Sequence, residues 1–262
     1  MTTILESIVE RKREEIASRQ AQCPAIELEA RLADSPPPRG FVNAIREARD
    51  VALIAEIKKA SPSAGLIRED FDPVELAGTY QQAGATCLSC LTDEPFFQGR
   101  LEHLESVRKH VDRPVLRKDF LLDRYQLLEA RVAGADAVLL IAECLGACEL
   151  RELYFSATNW DSMCCWRFTN QRILIGRSIS TRTAGHQQSD LKTFETDLGH
   201  TLRVGAGVPE STMLVAESGI RSRADVEYLA GGGVSAILVG ETLMRSESVL
   251  EKTTELVGVP RR

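Results

Sequence analysis

Short runs of apolar and β-branched residues recur along the chain. Six of them predict strands: Val51–Ile57, Thr86–Thr92, Pro114–Lys118, Asp136–Ala142, Met213–Glu217 and Ser235–Val239. Because continuous apolar runs are typical of strands buried on both faces, they indicate a parallel sheet covered by helices. The interval between the fourth and fifth runs is long enough to hold two more strands.

Segments with helical periodicity separate these runs. They are Pro73–Ala83, Leu101–Val111, Asp123–Ala133, Ala147–Ala157 and Arg223–Ala230. The alternation predicts βαβ units, and six visible strands plus two inferred ones give the count of a (β/α)8 TIM barrel, an α/β fold. A doubly wound open sheet is the alternative, but the Gly-rich patterns GxGxxG and GxxxxGK[ST] typical of such sheets do not occur.

Residues 1–50 precede the first strand and fall outside this repeat. Helical segments are predicted at Thr3–Arg19, Ala25–Ala33 and Phe41–Arg49. The first is amphipathic, and Thr3 and Glu6 have the spacing of a capping box. Its apolar face holds Ile4, Leu5, Ile8, Val9 and Ile16. We therefore expect an N-terminal helical extension packed on a barrel of residues 51–262, in a single domain overall.

Composition narrows the class of protein. Of 262 residues, 44% are hydrophobic and 27% are charged, which suits one large α/β domain. The net charge of −6 argues against nucleic acid as a partner, so any anion site must be local. Met1 leads directly into a charged helix, and no apolar run is long enough to span a membrane. We expect no membrane association and a cytoplasmic location.

The cysteines do not indicate a metal or redox centre. Cys87 and Cys90 have CxxC spacing, but they lie in an apolar run without a second pair of ligands. Buried thiols are the expectation for both residues.

Charged residues interrupt the apolar runs where the strands should end. Glu56 and Lys58 lie at the end of the first run, two residues apart and therefore on the same side of the strand. Lys118 ends the third run, and Glu217 ends the run before the last. Buried charges are costly unless paired, and the active sites of barrels lie at the carboxyl ends of the strands. Charged residues at one strand end could form a surface ion pair. Their recurrence at several strand ends favours a common site.

Aromatic residues and glycines accompany these charges. Two lysines, two glutamates and the Phe96–Phe97 pair suit an anionic, partly aromatic substrate. Gly219 and Gly240 lie on neighbouring strands where barrels bind phosphate through backbone N–H groups, although ordinary turn glycines are the alternative. A lysine at the mouth can be a general acid, a Schiff-base nucleophile or an anion clamp, and its position alone does not choose.

Five motifs in this order resemble the indole-3-glycerol phosphate synthase family of tryptophan biosynthesis. They are AEIKKASPS from Ala55, LTDEPFFQG from Leu91, PVLRKDF from Pro114, VAESGI from Val215 and ILVGETLMR from Ile237. The N-terminal helices also resemble the extension of that family, so the resemblance covers the chain except for roughly residues 158–190. It implies a carboxy-lyase, within a (β/α)8 barrel, with no metal or organic cofactor.

The substrate implied by the resemblance is 1-(2-carboxyphenylamino)-1-deoxyribulose 5-phosphate, which undergoes ring closure, decarboxylation and dehydration. By motif, Lys118 is expected to be the general acid, and Lys58 to hold the anthranilate carboxylate and share the acid role. Glu56 and Glu217 would position these groups. The substrate-binding residues would be Ser61, Phe97, Phe120, Ser218, Gly219, Gly240 and Glu241. Phe97 would line the anthranilate pocket, and association with other tryptophan-pathway enzymes stays open.

Residues 158–190 depart from the family pattern. The family's fifth strand ends in a catalytic Glu, but Trp166 stands near its place here. Its sixth strand ends in N-[NS]-R-D-L, whereas Gln187 and Ser189 precede the matching Asp190 and Leu191. A chain with these residues lacks a general base and two substrate contacts. We therefore expect strands five and six to be disrupted and the activity to be weak or absent.

A genuine insertion or a frameshift in the gene would explain the departure, and we favour the frameshift. Codons that encode residues 159–170 can be chosen so that the frame starting at the third base of each codon encodes LGLDVLLEIHE. This peptide resembles the expected fifth strand with its Glu. Codons for residues 186–189 can likewise be chosen so that the frame starting at the second base of each codon encodes INNR. Sequencing the gene across this segment tests the hypothesis, because an intact in-frame reading would exclude it.

Two other functions stay open at this point. One is a non-catalytic barrel that retains binding of a phosphate ligand, which would bind a reduced substrate analogue without turnover. The other is a different phosphosugar barrel enzyme, such as an isomerase or aldolase. Trapping of a Schiff base at Lys118 by borohydride would favour an aldolase, although Glu56, Lys58 and the Phe-Phe loop fit it less well.

Overall fold

Eight strands form a closed barrel in the computed structural model, which describes residues 3–158, 198, 202 and 213–261, and the backbone of 163–168 and 172–175. The strands are β1 (Ala52–Ile57), β2 (Cys87–Leu91), β3 (Val115–Lys118), β4 (Ala137–Ile141), β5 (Met163–Phe168), β6 (Arg172–Ile175), β7 (Met213–Glu217) and β8 (Ala236–Val239). They neighbour one another in chain order, and β8 pairs with β1 to close the sheet. The six strands predicted from the sequence are confirmed, and the interval with room for two more holds β5 and β6.

Helices alternate with these strands in the described residues. They are α1 (Ile4–Gln22), α2 (Ala25–Arg31), α3 (Phe41–Glu47), α4 (Pro73–Gln82), α5 (Glu94–Phe97), α6 (Leu101–His110), α7 (Arg124–Val132), α8 (Ala147–Thr158), α9 (Arg223–Gly231), α10 (Glu241–Met244) and α11 (Val249–Leu256). Aspartates cap several helix starts, as Asp72 does for α4, where Pro73 follows at the first helical position. The barrel fold predicted from the alternation is confirmed.

Side chains on each strand alternate between the interior of the barrel and the surrounding helices. On β1, Ala52 and Ile54 join an interior cluster, whereas Leu53 and Ala55 join the cluster that faces the helices. The two-residue period of a strand therefore places Glu56 on the interior side, above Ile54. Interior residues at the strand starts pack against α3, which covers the amino-terminal end of the barrel. The opposite end, where the strands finish, is the mouth.

The sixth strand runs against its neighbours. β5 is parallel to β4, but β6 is antiparallel to both β5 and β7. Only residues 169–171 connect β5 to β6, and a parallel crossover needs a dozen or more residues, so the two strands can pair only as a hairpin. The sheet is closed. The disruption expected at strands five and six is wrong for β5, which pairs regularly with β4, and takes the form of a reversal at β6.

The reversal changes which residues reach the mouth. The end of β6 pairs with the start of β7, Ile175 opposite Met213, so the chain leaves β6 at the face opposite the mouth. Trp166 lies within β5 by its backbone. The other departures from the family pattern, Gln187, Ser189 and the Asp190–Leu191 pair, lie outside the described residues.

The N-terminal helices pack on α7. Ile16 and Leu28 form a small buried cluster with Tyr125 and Leu128, and the Tyr125 hydroxyl donates to the Cys23 carbonyl oxygen over 2.9 Å. The predicted capping box is present at the start of α1. None of the helices in the described ranges is long and apolar enough to span a bilayer.

Two residues depart from the predicted apolar face of α1. Ile8 and Ile16 are buried as expected, but Ile4 is 64% exposed, and Lys12 between them is only 3% exposed. A buried lysine at the centre of an apolar stripe needs partners on the barrel.

Candidate active site

Four charged side chains from three strand ends meet at the mouth. Lys118 Nζ lies 2.8 Å from Glu56 Oε1 and 3.4 Å from Glu217 Oε1. Lys58 Nζ lies 3.1 Å from the other oxygen, Glu56 Oε2. One carboxylate at the end of β1 therefore joins two lysines, and the predicted same-side placement of Glu56 and Lys58 is observed.

The depth of these groups differs in a way that serves chemistry at the mouth. The Glu56 side chain is 4% exposed, whereas those of Lys58 and Lys118 are 17% and 14% exposed. The two ammonium groups can thus contact a ligand, while the carboxylate that holds them stays below. This is an arrangement that presents fixed positive charge to an anionic substrate.

The charge state of Glu56 follows from its surroundings. Burial raises the pKa of its carboxyl, but the attraction of Lys118 and Lys58 outweighs that effect and lowers the pKa from 4.5 to about 2. Glu56 is therefore an anion throughout the neutral range. It acts as a hydrogen-bond acceptor and an anchor for the lysines, not as a proton donor.

Gly240 makes room for this carboxylate. A methyl group built on Gly240 would overlap Glu56, with its carbon 3.1 Å from Cδ and closer still to Oε2. A glycine is therefore needed at the end of β8 for steric reasons, because a larger residue would push Glu56 away from the lysines. This requirement is additional to the phosphate-binding role expected from the sequence.

Aromatic side chains lie beside the mouth. Phe97, at the end of the short helix α5, and Phe120, two residues after Lys118, are half-buried with ring centroids 6.1 Å apart. Asp93 fixes the start of α5 by accepting a hydrogen bond from Phe96 N over 2.9 Å. The pair offers an apolar wall of a size that suits one aromatic ring.

The remaining predicted residues are placed around these groups. Ser61 is buried in a hairpin of Ala60–Ser61 with Gly65–Leu66, and its hydroxyl accepts a hydrogen bond from Ala64 N. Ser218 and Gly219 both have left-handed backbones, with φ of 65° and 73°, which turn the chain sharply after β7. The carboxylate of Glu241 pairs with Arg245 on the exposed side of α10, so it is not part of the charged cluster.

The thiols behave as buried core groups. Cys87 and Cys90 are both buried, which confirms the expectation from the sequence. Burial and the nearby charge of Glu56 raise the pKa of Cys90 to about 12. Within the described part of the chain, no three His, Cys, Asp or Glu side chains group in a way that could hold a metal ion.

The sequence did not identify three charged residues next to the mouth. Lys12 of α1 contacts Asp93, the second residue after β2, and Asp119, the first residue after β3. The sequence does contain a sign that Lys12 is buried. Lys12 lies four residues from both Ile8 and Ile16, which places it on the apolar face of the helix.

A barrel with paired lysines and glutamates at its carboxyl-terminal mouth, beside two aromatic rings, has the arrangement of β/α-barrel enzymes that act on anionic substrates by acid–base catalysis. The family model of indole-3-glycerol phosphate synthase matches residues 5–256. The chain belongs to the indole-3-glycerol phosphate synthase family. The function, enzyme class and tryptophan-biosynthesis assignment expected from the motifs are confirmed at this level.

Relatives and solved structures agree with this assignment. The chain is 50% identical over 257 residues to the indole-3-glycerol phosphate synthase of Rhodopirellula baltica, covering 98% of this chain and 99% of that protein. It is 45% identical over 251 residues to that of Acidithiobacillus ferrooxidans, covering 94% and 95%. A 3-hexulose-6-phosphate synthase (TM-score 0.58, 16% identity) covers 79% of this chain and 98% of its own. The tryptophan synthase α-subunit of Pyrococcus furiosus (TM-score 0.55, 15% identity) covers 80% and 99%. These two structures bear on the fold alone.

Proposed function

We propose that the mouth of the barrel closes the indole ring of 1-(2-carboxyphenylamino)-1-deoxyribulose 5-phosphate, with Lys118 as the general acid. The observation that carries this proposal is the contact of one buried carboxylate, Glu56, with both Lys118 and Lys58. An ammonium group held in this way has a fixed position, from which it can donate a proton to a bound substrate.

In the proposed reaction, the ring carbon that bears the carboxylate attacks the ribulose carbonyl carbon. Lys118 donates a proton to the carbonyl oxygen as the carbon–carbon bond forms, so that no free alkoxide develops. Carbon dioxide then leaves with cleavage of the ring–carboxylate bond, and its electron pair restores the ring. The new hydroxyl departs as water after Lys58 donates a second proton. The adjacent carbon then loses its proton to the neutral amine of Lys118, which completes the indole, and Lys58 regains its proton from solvent, so that one proton is consumed overall.

The neighbouring side chains suit the two ends of this substrate. Lys58, with a half-buried ammonium group on the same carboxylate as Lys118, would hold the anthranilate carboxylate and share the acid role. Phe97 and Phe120 would stack around the anthranilate ring. Glu217 would orient Lys118 and the hydroxyl groups. Ser61, Ser218, Gly219 and the backbone beside Gly240 and Glu241 would bind the phosphate end.

A direct assay tests the proposal. Purified chain is mixed with the proposed substrate, and indole absorbance and carbon dioxide release are followed together. Equal amounts of indole-3-glycerol phosphate and carbon dioxide are expected, at a low rate because of residues 158–190. No product, together with tight binding of a reduced substrate analogue, would instead establish the binding-only alternative. A Schiff base trapped at Lys118 by borohydride would establish aldolase-type chemistry and contradict the acid role.

Replacing Gly240 with alanine is expected to lower the rate of ring closure by roughly tenfold to a hundredfold, because displacement of a catalytic group by about 1 Å commonly has an effect of this size. The methyl group would press on the Glu56 carboxylate and separate it from the lysines. Gly231→Ala is the matched control, since nothing lies within 4 Å of a methyl group at that position. Equal kcat values for the two variants would refute the steric role of Gly240.

Three further expectations stay predictions. They are the single-domain organisation of residues 1–50 with the barrel, the cytoplasmic location, and association with other tryptophan-pathway enzymes. The packing of α1 and α2 on α7 supports the first of them.

A further inference from the structure

Lys12 places a positive charge from the N-terminal helix between two strand ends of the barrel. Its ammonium group lies 2.8 Å from Asp93 Oδ2, 3.1 Å from Asp119 Oδ1 and 2.8 Å from Glu15 Oε2. Lys12 is 3% exposed, and the two aspartate side chains are 0% and 1% exposed. The group is therefore an interior ion cluster that connects α1 to the ends of β2 and β3.

Packing of α1 on the barrel does not by itself require a charged residue at position 12. Removing a lysine and a carboxylate from water is costly, and well-packed apolar residues commonly stabilise a buried contact as well or better. The neighbouring positions of the same stripe, Ile8 and Ile16, are apolar and buried. What the charged contact adds is direction, because an ammonium between two carboxylates fixes where both of them lie.

The two aspartates are bonded to the segments that carry proposed site residues. Asp93 follows β2 and caps α5, the helix that ends at Phe97. Asp119 follows Lys118 directly, and its oxygens also accept hydrogen bonds from the Thr92 hydroxyl over 2.6 Å and from Phe120 N over 2.8 Å. A shift of either carboxylate would therefore move a proposed site residue with it.

A second ion cluster fixes the remaining side of Asp119. Arg117 contacts Asp119 at 3.2 Å and Glu129 of α7 at 3.3 Å, and Arg19 of α1 reaches the same glutamate at 3.3 Å. The helix α1 is thus attached at two points, one on α7 and one at the mouth. Arg117 and Lys12 hold Asp119 from opposite sides.

We propose that Lys12 is a positioning residue of the active site, which fixes the ends of β2 and β3 so that Phe97 and Lys118 keep their places at the mouth. The N-terminal helix is then a working part of the site and not only a cover. This inference rests on the proposed function for the roles of Phe97 and Lys118. The fixing of the two strand ends by Lys12, called the clamp below, does not depend on that function.

The charge balance of the cluster determines the choice of variant. In the described residues Lys12 is the cation in contact with Asp93, so Lys12→Met alone would leave a buried carboxylate without a counter-charge and could unfold the chain. Burial already raises the pKa of Asp93, even against the attraction of Lys12. Combining Lys12→Met with Asp93→Asn removes both charges and keeps a residue that can cap α5.

The experiment compares the double variant K12M/D93N, the single variant K12R and the control R11M, whose arginine pairs with Glu14 on the exposed side of the same helix. We expect the double variant to keep the wild-type melting temperature within a few degrees, yet to lower kcat roughly tenfold to a hundredfold and to raise KM. K12R should keep most of the wild-type kcat because it keeps the positive charge, and R11M should match wild type. Wild-type kcat and KM in the folded double variant would overturn the proposal.

A readout independent of activity separates this inference from the proposed function. Hydrogen–deuterium exchange should become faster at residues 93–99 and 118–122 of the double variant and stay unchanged in R11M. Unchanged exchange at both segments would overturn the clamp. If wild type forms no indole-3-glycerol phosphate but the exchange rises as described, the proposed function fails and the clamp stands.

Discussion

Restoring the reading frame across residues 158–190 is expected to raise the rate of indole-3-glycerol phosphate formation by about 10²- to 10⁴-fold, the usual contribution of a general base or acid. Trp166 stands near the place where the family has a catalytic glutamate at the end of the fifth strand. The sixth strand, moreover, runs in the reverse direction, so its carboxyl end does not reach the mouth. The corrected frame would return both features at once.

The measurement is a comparison of kcat/KM for the two chains under one set of conditions. A matched control is the corrected chain in which the restored glutamate near position 166 is changed to glutamine. This change should remove most of the gain in kcat/KM. Far-ultraviolet circular dichroism of all three proteins keeps a folding defect distinct from a loss of chemistry. Equal activity of the two unsubstituted chains would show that the present residues serve as well, and the frameshift account would then be abandoned.

Glu56→Gln is expected to lower kcat by about 10²-fold or more. The amide has the size of the carboxylate but no charge, so Lys58 and Lys118 lose the anion that holds them near each other. The loss of stability should lie at the lower end of the about 3–5 kcal/mol that follows from removing one partner of a buried ion pair, because both lysines reach water. Steady-state kinetics and denaturant unfolding measure the two effects.

The matched control for that variant is Glu105→Gln, which removes a carboxylate from an exposed pair with Lys109 on α6. Surface pairs of this kind contribute about 0–1 kcal/mol, so wild-type kinetics and near wild-type stability are expected. A kcat within threefold of wild type for Glu56→Gln would mean that the lysines do not depend on this anion.

The sequence was informative where a short-range rule decides the placement. Glu56 and Lys58 lie on the same side of a strand because side chains alternate with a period of two, and no knowledge of the rest of the fold is needed. Lys118 and Glu217 could be added because all parallel strands of a barrel end at one face. Their contacts with one another follow from closure of the sheet, which brings β1, β3 and β7 around one mouth.

Long-range contacts set the limit of such predictions. The periodicity of α1 predicts which face is buried, but Lys12 belongs to that face only because Asp93 and Asp119 lie opposite it, and they follow two different strands. Gly240 was assigned to phosphate binding, since local sequence cannot reveal that the Glu56 carboxylate occupies the space beside it.

The direction of β6 is a different case. The length of the interval between residues 136 and 213 gave room for two strands, but the length does not determine their orientation. Orientation follows from the length of the connection, and residues 169–171 permit a hairpin only. The family pattern predicted a parallel strand at this place, and the departure of residues 158–190 from that pattern coincides with the reversal.

The most direct test of the central claim, that Lys118 donates the proton that closes the ring, is a single-turnover time course. The frame-corrected chain, with and without Lys118→Met, is mixed in excess with the substrate, and indole formation is followed by fluorescence. The claim predicts a rate constant at saturating enzyme at least about 10²-fold lower in the variant, with little change in the enzyme concentration that gives half the maximal rate. Equal rate constants would contradict it.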